Sequence, residues 1–209
     1  MALIQTRVLR DETVVNRRLA ELDMDKVKLL TVRSRAISAA ADAPPFHPAN
    51  SAGTFSYHYG TFALRDAFVG DTWVVDRPDG VEAISNEGKK TKVVFANVDH
   101  AGGDDDHAPK PRSRKGAGSE RVCQGNLFGD SPRYVPSPDG TAGGFAIYYL
   151  MVDENGAVEL SCPVVKRKTF AAYVERIILS DGSDLEGEGK LALDDKDIAD
   201  GFDPQVARK

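Results

Sequence analysis

The sequence predicts an α+β fold: a mostly antiparallel sheet with an N-terminal helical region and a C-terminal hairpin-helix unit. Three observations carry this. Apolar residues in the first forty positions recur at helical spacing, the middle of the chain alternates short apolar runs with turn chemistry, and an Asn-Gly step separates two apolar runs near residue 155. At 209 residues with 41% hydrophobic and 28% charged side chains, the chain can bury a core. That composition excludes wholesale disorder and collagen-like architecture.

Val15, Leu19 and Leu22 fall at i, i+4 and i+7, which predicts an amphipathic helix from Glu12 to Leu22 with Asp11 as its N-cap. Val27, Leu30 and Ile37 predict a second helix from Lys26 to Ala40, in preference to a strand built on Val27, Leu29 and Thr31. The prolines of 44–48 end this region, because they remove backbone donors and push their predecessors into extended geometry. Thr54 to Gly60 alternates aromatic and polar residues and is expected as a half-buried strand. Residues 72–75 and 81–84 flank Pro78-Asp79-Gly80 and predict a hairpin, and Lys92 to Val98 is apolar enough for a central strand.

Residues 101–119 carry little apolar content and are expected as a long exposed loop. Residues 145–152 and 157–165, joined by Asp153-Glu154-Asn155-Gly156, predict a tight hairpin. Thr169 then caps a helix whose stripe is Phe170, Tyr173, Val174, Ile177 and Ile178, stopped at Ser180-Asp181-Gly182. The whole is expected as one domain over 1–180 with an acidic tail over 181–209.

Charge is distributed unevenly. Residues 181–203 hold nine acids and two lysines, a net −7, so the formal −5 of the chain leaves +2 for the remainder. Three basic clusters stand in that remainder: Lys110, Arg112, Arg114 and Lys115; Lys166, Arg167 and Lys168; and Lys89, Lys90 and Lys92. Lysine and arginine along an extended segment suit phosphates, and Tyr148 beside them suits base stacking, whereas its neighbour Tyr149 points to the opposite side of a strand. The expected function is non-enzymatic, sequence-nonspecific binding of single-stranded nucleic acid, with no cofactor. The acidic tail fits solvation, a protein contact, or an internal competitor for the basic clusters.

A second reading is a metal-dependent phosphoester hydrolase. Asp99, His100, Asp104, Asp106 and His107 offer oxygen and imidazole ligands for a divalent ion such as Mg²⁺ or Mn²⁺, although their spacing matches no diagnostic motif. A third is a structural protein that assembles as a homo-oligomer. Cys123 and Cys162 are far apart and read as free thiols of a reducing compartment. No apolar run reaches membrane-spanning length and Met1 to Arg7 lacks the apolar core of a secretory leader. The expected location is therefore the cytoplasm or a virion interior, without a membrane partner.

Overall fold

A computed structural model describes residues 5–103, 107–123, 126 and 144–185. A short strand, β1 (Arg7–Leu9), leads into α1 (Glu12–Glu21), where the Asp11 carboxylate accepts the Val14 N–H and satisfies one orphan donor of the first turn. Asp23 reverses the chain at φ 59°, and Asp25 caps α2 (Lys26–Ala41) by accepting the Lys28 N–H.

The next element corrects an expectation. Thr54 to Gly60 is not a strand but part of α3 (Ser51–Phe68). Over the segment expected as a strand and the turn after it, the buried face is made of small and aliphatic residues, Ser56, Gly60, Ala63 and Leu64, with Phe68 joining the core at the helix end, while Tyr59 and Phe62 face solvent. The aromatic alternation is thus a property of the outer surface. Gly60 is required here, because a Cβ would lie 2.4 Å from the Phe95 ring beneath it.

Strand β2 (Val74–Asp76) pairs antiparallel with β3 (Ala83–Asn86) around a 3₁₀ turn at Pro78–Gly80, and β3 pairs with β4 (Thr91–Asn97). After the 98–123 segment, which contains α4 (Ala117–Val122), come β5 (Ala146–Val152), β6 (Val158–Lys166) and β7 (Thr169–Ser180). The seven strands of the described residues form one sheet in the order β1-β7-β6-β5-β4-β3-β2. It is mostly antiparallel; only β1–β7 and β4–β5 are parallel. The chain is therefore α+β.

Strand β7 is the second correction, since the stripe from Phe170 to Ile178 predicted a helix. The β6–β7 ladder shifts register between Val158 and Glu159, Cys162 and Pro163, and Val164 and Val165. Each shift inserts an extra residue into β7, which breaks the two-residue alternation and leaves apolar side chains spaced three and four apart. Beside one of these shifts the buried Asn126 amide donates to the carbonyls of Ile147 and Pro163 and accepts the Ile147 N–H, bridging β5 and β6.

Helices α1 to α3 cover one face of the sheet, where Leu19, Leu29, Val32 and Leu64 pack on Phe95, Tyr148, Leu150, Leu160 and Ile177. The other face is covered by the 98–123 segment. Residues Val98, Ala101 and Cys123 pack there on Val94, Tyr149, Met151, Phe170 and Tyr173. So the stretch expected as an exposed loop is anchored through buried Ala101, Pro109 and Ser119, while Lys110, Arg112, Ser113 and Arg114 remain in solvent. Of the acidic segment only 181–185 is described; there Asp184 forms a two-pronged pair with the buried Arg33, at 2.7 and 2.8 Å. No helix among the described residues is long and apolar enough to cross a membrane.

Candidate functional site

Strand β3 reaches only from Thr91 to Val94 along β4, so the outer edge of β4 at Phe95 and Ala96 has no strand beside it among the described residues. A cleft of about 600 Å³ opens there, between the first turns of α3 and residues 112–115. Asn97 fixes the helix side: it accepts from Ser56 Oγ at 2.8 Å and donates to the Gly53 carbonyl at 2.8 Å. Arg112, Ser113, Lys115, Asp153 and Glu154 line the opposite side. A second cleft of about 240 Å³ shares Tyr57, Ser113 and Lys115 and continues to Arg114, Asp79 and Tyr149. Those three shared side chains border both clefts. A volume of this size suits a small ligand or one unit of a polymer.

The basic loop is stitched to the sheet like an incomplete strand. Asp99 N–H donates to the Lys110 carbonyl, Lys110 N–H donates to the Asp99 carboxylate, and Arg112 N–H donates to the Asn97 carbonyl. At the far end of the loop, Lys115 N–H donates to the Lys168 carbonyl at 2.9 Å. This last bond joins the first basic cluster to the second. Lys166 ends β6, and Arg167 and Lys168 form the β6–β7 turn, both at positive φ, 52° and 65°. The pairings Thr91 with Ala146 and Lys166 with Thr169 place the third cluster at the same end of the sheet. There the Lys90 and Lys92 ammonium groups sit over the Phe145 ring.

The basic residues differ in their surroundings. Arg112 pairs with Glu154 at 3.0 Å and Lys92 with Asp76 at 2.6 Å. Lys110, Arg114, Lys166, Arg167 and Lys168 form no ion pair with a described residue. Lys115 is turned inward: its ammonium lies 5.3 Å from the ring centres of both Tyr149 and Phe170. Burial pushes its pKa down to about 8. Burial also pushes the neighbouring Cys123 thiol up to about 12 and raises the Tyr149 hydroxyl, so both stay neutral near pH 8.

Tyr148, predicted as a stacking group, requires correction. It is fully buried on the helix-covered face, and its hydroxyl donates to Glu175 at 2.6 Å. Tyr149 is on the loop-covered face and also buried, so the aromatic ring that the clefts leave half-exposed is Tyr57 of α3. That residue was hidden by the strand reading of its segment.

For the metal reading, Asp104 and Asp106 lie outside the described residues. The Asp99 carboxylate accepts the backbone N–H groups of His100 and Lys110 and so holds the loop. The exposed His100 and His107 rings stand 6.5 Å apart, edge to face, and His100 Nδ1 is 3.8 Å from Asp153. Asp153 itself caps backbone N–H groups of Ala101, Asn155 and Ala157. Among the described residues no group of three or more metal-ligating side chains converges.

Two buried ion pairs were missed. On the loop face, Arg176 clasps Glu159 at 3.0 and 2.7 Å, and Glu159 also accepts from Ser161 and from the Gly102 N–H. On the helix face, Glu175 accepts from Arg18 and Tyr148. Their signal in the sequence is a charged residue inside an apolar run, at Val158–Val165 and Tyr173–Leu179. Comparison with protein-family models, curated proteins and solved structures finds no match to this chain.

Proposed function

We propose that the protein binds single-stranded nucleic acid without base specificity, along the ridge formed by the 110–115 loop and the β6–β7 turn. The observation that carries this reading is the Lys115–Lys168 backbone bond, which makes one basic surface from two clusters more than fifty residues apart. Lys110, Arg112, Arg114, Lys166, Arg167 and Lys168 supply phosphate contacts, and the half-exposed Tyr57 ring takes the stacking role assigned by sequence to Tyr148. Holding Arg167 and Lys168 at positive φ costs about 1 kcal/mol or more each. Strain retained at a solvent-facing basic turn supports a role for those side chains beyond the turn itself.

The test is fluorescence anisotropy of a labelled oligothymidylate across a salt series. Affinity is expected to fall steeply with salt, and neutralising Lys110, Arg112 and Arg114 together to glutamine is expected to lower the slope of log K against log salt by about 2. Binding that ignores salt, or no binding at low salt, contradicts the proposal.

A further inference from the structure

Lys115 is left over from this reading, because a side chain folded onto two aromatic rings does not reach a phosphate backbone. It lines both clefts, with its ammonium 5.3 Å from the centres of the Tyr149 and Phe170 rings and without a carboxylate partner among the described residues. Tyr57 of α3 lines the same cavity, and Asp79, which does so too, is already paired with Arg121 at 2.9 Å. Cys123 and Tyr149 approach as neutral groups. Phe170 is the ring that β7 supplies. From its own loop comes the exposed Arg114. A primary amine in an open, partly apolar cleft, beside a guanidinium that no described carboxylate pairs, has the layout of a carbonyl-reactive lysine.

We infer that Lys115 is a nucleophilic amine that condenses with an aldehyde or ketone bearing an anionic group, the anion being held by Arg114. In the step, the lone pair of Nζ attacks the carbonyl carbon and the C=O π pair moves to oxygen. Proton transfer gives a carbinolamine, and loss of water forms the imine; no oxidant or reductant is consumed. The free-amine form needed for attack is populated near neutral pH because burial lowers the pKa to about 8. Surface lysines stay protonated at that pH. The inference does not depend on nucleic-acid binding.

The experiment uses the full chain and two aldehyde probes, pyridoxal 5′-phosphate and its unphosphorylated counterpart pyridoxal, followed by borohydride reduction and peptide mass spectrometry. At pH 8 the phosphorylated probe is expected to label Lys115 at least about tenfold above the mean of the other lysines, with a rate–pH midpoint near 8. Arg114→Gln is expected to remove the advantage of the phosphorylated probe over pyridoxal while leaving the midpoint in place. Lys115→Arg, which keeps a cation beside the rings, abolishes the label. Label spread evenly over the exposed lysines, or a Lys115 rate that rises only near the ordinary lysine pKa, overturns the inference. Because the decisive map is made on the unmodified chain, a variant that fails to fold does not obscure it.

Discussion

Glu159 and Glu175 show how much a single buried carboxylate demands. Each sits in an apolar strand, one on each face of the sheet, and each is met by an arginine and a hydroxyl. Removing one partner strands the other in a medium that solvates it poorly. Arg176→Met is therefore expected to cost about 3–5 kcal/mol in urea unfolding, and a loss under about 1 kcal/mol would show that water reaches the site. Asp184 gives a pH signature. The Arg33 guanidinium, with Ser180, holds its carboxyl down at about 2 in the fold, against about 4 in an unfolded chain. Its contribution is present above pH 4 and is lost as pH falls toward 2. The difference in denaturation midpoint between the protein and Asp184→Asn is expected to be largest near neutrality and to shrink steadily as pH falls from 4 to 2; a pH-independent difference contradicts the assignment. None of these pairings was visible from residue types alone, since partners such as Arg18 and Glu175 lie 157 positions apart.

At the scale of elements, the hairpins and their turns were legible because turn chemistry is local. Gly156 adopts φ 87° at the tip of the β5–β6 connection, as the Asn-Gly step predicts for its second residue. Two elements were misread for the same reason, that periodicity reports which residues are apolar and not which are buried. In α3 the packing face over 56–64 is small and aliphatic while Tyr59 and Phe62 are outside; in β7 inserted residues convert an alternating pattern into an apparent helical one. The two-residue β6–β7 turn carries a further prediction. Replacing Arg167-Lys168 by Asn-Gly, the pair best suited to two positive φ angles, is expected to stabilise the fold by about 1–2 kcal/mol while weakening oligonucleotide binding. A lower melting temperature would show that the native turn is not strained.

For the whole molecule, the class and mostly antiparallel sheet were legible, whereas the sheet order was not. The parallel β4–β5 contact depends on a long excursion across the second face, and the parallel β1–β7 contact joins the two ends of the described chain. Both arise from packing layers and not from local pattern, which is also why the basic clusters could be named from sequence but not placed together. The β1–β7 pairing bears on synthesis. Arg7 aligns with Glu175, so β1 finds its neighbour only after nearly all of the described chain has been made. Helices α1 and α2 emerge with their apolar stripes uncovered and wait for strands encoded far downstream. Such distant closure slows folding and lengthens exposure to aggregation. A nascent chain cut short before β7 would carry its helical layer without Val174, Ile177 and Leu179, the part of the covered face that β7 supplies.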